Sequence, residues 1–158
     1  MIARFFLTAA CLALASGPLA AQDGADTSTD APETKFTGED LFGLSVASDP
    51  QLSPDGSRIA YVRRTNDIMT DKAVSSIWLI DVSTGAETPL VTGEGSHGSP
   101  RWSPDGTRLA YISTESGGGA ELHVHWMATG QSANITALAE GPSGLAWSSD
   151  GTSIAYTA

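Results

Sequence analysis

Several short patterns in this chain could do chemistry. His123 and His125, in ELHVHW, stand at i and i+2 of an apparent strand, so both imidazoles fall on one face and could hold a metal. No third donor stands near them, and the pair reads as packed or hydrogen-bonded strand histidines. Residues 93–98, GEGSHG, fit Gly-x-Gly-x-x-Gly, which cradles a pyrophosphate where a strand opens into a helix. Here the pattern runs into SPRWSPDG, too rich in proline for a helix, and it reads as a connecting loop with His97 solvated in it. A serine nucleophile needs Gly-x-Ser-x-Gly at a strand-to-helix turn. GLSVA at 43–47 and GPSGL at 141–145 each lack the closing glycine. The expectation is therefore that no catalytic residue, no cofactor-binding residue and no metal ligand lies in these 158 residues.

Asp55, Asp105 and Asp150 could pass for a carboxylate cluster, but each occupies the same place in a repeat. QLSPDGSRIAYV at 51–62 returns as RWSPDGTRLAYI at 101–112 and as AWSSDGTSIAYT at 146–157. Proline presets φ for a turn, aspartate bonds its own backbone and glycine accepts positive φ, so the aspartates read as turn formers, one per repeat and far apart in space. Trp102 and Trp147 are 45 residues apart, whereas Leu52 and Trp102 are 50 apart. The Thr-Gly pairs at 84–85 and 129–130 again differ by 45, which places the surplus in the loop RRTNDIMTDKAVS, 63–75, against STESGGGA, 113–120. That loop, with Arg63, Arg64, Asp67 and Asp71, is a tolerated surface insertion with a contact role as the alternative.

Each unit reads as four strands. Ile59 and Tyr61 alternate with Ala60 and Val62, so the second strand is apolar on both faces and must be covered on both. Small Ala60, Ala110 and Ala155 beside Tyr61, Tyr111 and Tyr156 let neighbouring units nest, and Trp78, Trp102, Trp126 and Trp147 read as core. Four short antiparallel strands with a period near 45 match one blade of a β-propeller. The fold class is all-β, a partial propeller of about two and a half blades following a signal peptide and a short helix. Blade 1 spans 50–98, blade 2 spans 99–141, and 142–158 is a truncated blade 3.

Residues 1–21 place Arg4 before an apolar run and a Gly-Pro break, the pattern of a secretory signal peptide cleaved near Ala21. The run is too short to span a bilayer, so no membrane span is expected in the mature chain. The single cysteine, Cys11, lies within the signal, and the mature chain uses no disulfide although it is exported. Residues 22–35 are an acidic, flexible leader. In 36–49, Thr37 with Asp40 resembles a capping box, and Phe36, Leu41, Phe42 and Leu44 give a two-turn helix its apolar side before the lead-in to the first repeat. A net charge of −10 excludes nucleic acid as a partner, because phosphate binding needs clustered Lys and Arg.

The repeats SPDGSRIAYV, RWSPDGTRLAYI and LAWSSDGTSIAYTA resemble those shared by periplasmic TolB-like proteins and by the prolyl oligopeptidase family of serine peptidases. GEDLFGLSVASDPQLSPDG resembles the N-terminus of acylaminoacyl-peptidase-like and dipeptidyl-peptidase-like members of that peptidase family, and WMATGQ with GPSGLAWSSDG is similar to bacterial members carrying signal peptides. That resemblance implies a propeller that caps a C-terminal α/β-hydrolase domain carrying a Ser, Asp and His triad, and that admits peptides rather than folded proteins. The triad is expected beyond residue 158, so this chain is read as a fragment, inactive alone, whose partners are its own hydrolase domain and peptide substrates. The alternative is a TolB-like periplasmic propeller that binds another protein and catalyses nothing.

Overall fold

The computed structural model describes residues 35, 37–38, 40–67, 69, 71–115, 117, 119–138 and 140–158. The signal sequence with Cys11, the cleavage position, almost all of the acidic leader, Phe36 and Glu39 lie outside the described residues.

Three antiparallel sheets follow one another along the chain. The first contains β1 (Ser45–Leu52), β2 (Arg58–Asp67), β3 (Lys72–Asp81) and β4 (Glu87–Val91), in that order. The second repeats it with β5 (His97–Trp102), β6 (Arg108–Ser113), β7 (Glu121–Trp126) and β8 (Gln131–Asn134). The third is the hairpin of β9 (Ser143–Trp147) and β10 (Ile154–Thr157). The first strands neighbour one another, β5 packing on both β1 and β9.

The repeated turn folds the same way three times. In the first copy the Gly56 N–H donates to Ser53 O at 2.9 Å, and the Ser53 N–H to Arg58 O at 2.8 Å. The Asp55 carboxylate accepts from Ser53 Oγ at 2.6 Å, from the Ser57 N–H at 3.0 Å and from Ser57 Oγ at 2.8 Å. Ser53 Oγ in turn accepts from the Arg58 N–H at 2.9 Å. The same pattern joins Ser103, Asp105, Thr107 and Arg108, and again Ser148, Asp150, Thr152 and Ser153. Gly56, Gly106 and Gly151 sit at φ 73°, 69° and 68°, where a side chain would be strained.

These bonds favour the ionised carboxylate. Asp55, Asp105 and Asp150 are each lowered from 3.8 to about 2, first by the serine hydroxyl and then by the backbone N–H two residues on. Asp81 is lowered to about 2 by Ser83 and Thr84 in the β3–β4 turn. A carboxyl depressed on folding contributes stability that is complete above its unfolded value and is lost as pH falls through its folded one. The melting temperature should therefore drop steeply between pH 3.8 and about 2. Asp105→Asn, followed by thermal melts across that range, should flatten part of the slope.

The two-sided strands bury their faces in two separate cores. Ala60, Ile77, Leu79 and Val91 of the first sheet pack on Leu109 and Tyr111 of the second, with Leu90, Trp102 and Met127 at the margin. Ala110, Leu122 and Val124 pack in turn on Leu145, with Ile112, Trp147 and Ile154 around them. Burying each such large side chain contributes about 1.5–3 kcal/mol, so each sheet is held chiefly by its neighbours. Between the sheets the indoles act as hooks. Trp102 Nε1–H donates to Gln51 O at 3.0 Å, and Trp147 Nε1–H to Arg101 O at 2.9 Å, each reaching the first strand of the preceding sheet. Trp102→Phe should keep most of the packing but lose the hook, lowering stability by about 1–2 kcal/mol in urea unfolding.

Several details differ from the sequence reading. The helix α1 (Asp40–Gly43) is a single turn with no buried residue. Half of the capping box forms: the Thr37 N–H and hydroxyl both donate to Asp40 Oδ2, at 2.6 and 2.8 Å. Leu41, Phe42 and Leu44 stay exposed, and one turn cannot propagate without a face to bury. Residues 63–75 are mostly strand rather than loop. The ladder of β2 and β3 continues from Arg63↔Ser76 to Asp67↔Lys72, so the five extra residues lengthen a hairpin that β1 flanks as far as Ser45↔Thr65. Asn66 Nδ2–H donates to Leu41 O at 3.0 Å and fastens α1 to it. Polar SVASD shows no alternation, which is why its strand was not legible.

Candidate functional site

The polar features gather where the first strands meet. Arg101 Nη1–H donates to both carboxylate oxygens of Asp49, at 3.0 and 2.9 Å, and to Pro100 O at 2.7 Å. Gln51 Nε2–H adds a bond to Asp49 Oδ1 at 2.9 Å. Asp49 lies at φ 48°, its counterpart Ser99 at 52° and Gly144 at 63°. These positions follow the 50- and 45-residue steps of the repeat, and in β1 and β5 they fall inside bulges, at Ser48/Gln51 and Gly98/Arg101. A bulge with one left-handed residue bends a strand and re-aims its side chains. Here it turns Asp49 toward Arg101, tying the first sheet to the second. Only Gly144 gave a hint of this device, because Asp49 and Ser99 carry no obvious mark of positive φ.

The turn aspartates are closer than expected. A Cβ on Gly106 would come 3.5 Å from Pro54 Cδ, and one on Gly151 the same distance from Pro104 Cδ. Neighbouring turns therefore stack, and Asp55 and Asp105 line one cavity of about 200 Å³ with Arg58 and Trp102. Their carboxylates remain occupied within their own turns. At the next step Arg108 lies over the Trp147 ring, 4.9 Å from its centroid, and its Nη2–H donates to Gly151 O at 2.8 Å.

The histidines are placed as core groups. His97 is not solvated: it opens β5 at 1% exposure, because the glycine-rich connection ends one residue before it. His123 and His125 are both buried on one face of β7, opposite Tyr111 and Leu109 respectively. His125 Nδ1 lies 2.9 Å from Ser132 Oγ, and burial alone lowers its pKa, so no carboxylate orients it as in a triad. Among the described residues no group of three or more His, Cys, Asp or Glu could hold a metal. Ser45 and Ser143, in the two near-matches to a nucleophile elbow, lie exposed on strands rather than at strand-to-helix turns. Trp78 is half-buried under Arg63, 4.8 Å away, whereas Trp126 stands 37% exposed at the position of Asp81. No described helix is long and apolar enough to cross a membrane.

Sheets of four antiparallel strands, stacked through two-sided second strands and repeated turns, are what a propeller requires. A family profile described as the TolB beta propeller domain matches residues 43–158. The chain belongs to the TolB-like β-propeller family. In Bacillus subtilis (strain 168), a protein named uncharacterized peptidase YuxL is 38% identical over 122 residues, covering 77% of this chain and 19% of that protein. The chain thus spans about a fifth of the length of that relative. Acylaminoacyl peptidase of Pyrococcus horikoshii superposes with a TM-score of 0.59 at 19% identity, over 70% of this chain and 17% of that one, a likeness of fold. A protein of Agrobacterium tumefaciens named as a TolB gives a TM-score of 0.58 at 26% identity, over 72% of this chain and 38% of that one. Within the family the three sheets are blades, two of them four-stranded, and the Trp hooks, the stacked turns and the Asp49–Arg101 pair are their joints.

Proposed function

We propose that this chain is the N-terminal propeller segment of an exported serine peptidase, in which the propeller restricts access to a C-terminal α/β-hydrolase domain. The observation that carries the reading is the 38% identity to a named peptidase over 122 residues, of which that stretch is 19%. Catalysis belongs to the remainder of such a protein. The described residues contribute a scaffold of stacked blades, and we assign none of them a catalytic, cofactor-binding or metal role. Export rests on Arg4 and the apolar run behind it, and leads to the periplasm or the medium. Peptides are the substrates, since a propeller channel admits an extended chain more readily than a folded domain.

A second reading, a TolB-like propeller that binds a protein and has no chemistry, is favoured by the 26% identity to the Agrobacterium protein. Fluorophosphonate labelling of the whole native protein separates the two. The peptidase reading expects one covalent adduct on a serine outside residues 35–158. Absence of labelling, with the protein folded, would favour the binding propeller.

A further inference from the structure

The joint between the first two blades contains polar groups that its packing does not use. Neither ring nitrogen of His97 has a hydrogen-bond partner among the described residues. Its ring stands edge-on to Tyr111, with centroids 6.1 Å apart at 70°. Against Tyr111 lies His123, 5.3 Å away at 34°, and its Nε2 is buried and unpartnered as well. Buried polar atoms without partners are rare enough to need a reason. The blade fold does not supply one, because the preceding repeat places Ala47 and Trp78 at the positions of His97 and His123.

Beside His97, at the margin of the joint, the connections before β5 and after β6 extend the His97↔Ser113 pairing of the second blade by one step. The Ser96 N–H donates to Thr114 Oγ1 at 2.8 Å, and the Thr114 N–H donates to Ser96 O at 3.0 Å. Gly95 fits so tightly that a Cβ there would lie 2.9 Å from Thr114 C and Glu115 N.

We propose that His97 is a proton sensor in this joint: taking up a proton in a mildly acidic medium, it opens the Ser96–Thr114 closure and loosens the first blade from the second. In the shut joint neither ring N–H of an imidazolium would have a hydrogen-bond acceptor among the described residues. On β6 His97 faces Ser113 and the Tyr111 ring, beyond which lies His123 of β7, and the β6–β7 connection carries Glu115; the first blade's Ala60, Ile77, Leu79 and Val91 pack in the core that Tyr111 shares. The Tyr111 ring and Glu115 attract a cation, but stripping water from an unpaired charge costs several times more. Burial, the largest influence, holds His97 below its ordinary 6.5, with His123 opposing the charge and Glu115 favouring it. The sign follows. Above pH 6.5 both states are neutral and the shut joint keeps its full advantage. Below it the opened state binds the proton more readily than the shut state, and the advantage falls by up to about tenfold per pH unit until the folded value is reached.

Amide hydrogen exchange of the whole protein tests this, at about pH 7.5 and about pH 5.5, corrected for the intrinsic rate. Protection of the Ser96 and Thr114 amides should fall about tenfold at the lower pH. The Arg58 amide, held by Ser53 Oγ in a distant turn, should keep its protection. His97→Phe, which fills the site with an apolar ring, should abolish the difference. Equal protection at both pH values, or an unchanged response in H97F, would overturn the proposal. If H97F does not fold, the NMR titration of the His97 ring in the unsubstituted protein decides. Protonation near pH 6.5 with both amides still protected would overturn it, whereas a ring that stays neutral until they exchange would support it.

Discussion

Truncating Tyr111 to alanine should lower stability by about 3–5 kcal/mol, the range for loss of a large buried aromatic side chain. Tyr111 is 1% exposed and sits in the core between the first two blades, against Ala60, Ile77 and Leu109. His97 and His123 pack against its ring. Alanine would leave a cavity lined by residues of both blades, which two rigid sheets cannot collapse to fill. Urea unfolding followed by tryptophan fluorescence should show the midpoint fall, with the four indoles reporting all three blades. Tyr111→Phe keeps the ring and its packing, and should cost no more than about 1 kcal/mol for the lost hydroxyl. Comparable losses in the two variants would mean that the joint is not packed around this ring.

Enlarging Ala60 to leucine should be the second most damaging change, at about 1–3 kcal/mol. Ala60 is fully buried, paired with Leu79 across the ladder and packed in the same core as Leu109 and Tyr111. Three added carbons there must push the second blade away or force neighbouring side chains off their rotamers. The strand would still pair, so the damage should appear between blades and not within one. Hydrogen exchange can tell these apart: protection should fall at the Trp102 indole N–H, which bonds Gln51 O across the joint, and hold at the Ser53–Arg58 turn within the first blade. A neutral A60L variant would sink the idea that small residues at this place let the blades nest.

How much of this was legible in the sequence depends on which interactions are local. The SPDG turns and their hairpins follow from Pro, Asp and Gly within a few residues, and the two-sided strands follow from the alternation of Ile59, Ala60, Tyr61 and Val62. Even there the serine that opens each motif, Ser53, Ser103 or Ser148, and the Ser57, Thr107 or Thr152 following it complete the turn without being singled out. Whatever depends on two repeats meeting was hidden. Trp102 was read as core, but its bond to Gln51 O joins residues 51 apart, and Arg101 to Asp49 spans 52. His97 looked solvated because its glycine neighbours are loop formers, whereas its burial comes from Tyr111 and the facing sheet. The extended hairpin was missed because Arg63 to Asp67 carry no apolar alternation, and the ladder there is held by backbone pairing with Lys72 to Ser76.

The central claim is that these blades stand between a peptidase site and its substrates, and a length-selectivity assay tests it most directly. The whole native protein would be offered one cleavable sequence as a short peptide, as a longer unstructured peptide, and within a folded protein. The account predicts cleavage of the short peptide, slower cleavage of the longer one and none of the folded protein, with Trp102→Ala admitting longer substrates as its blade joint loosens. Equal cleavage of all three, unaltered by Trp102→Ala, would contradict it.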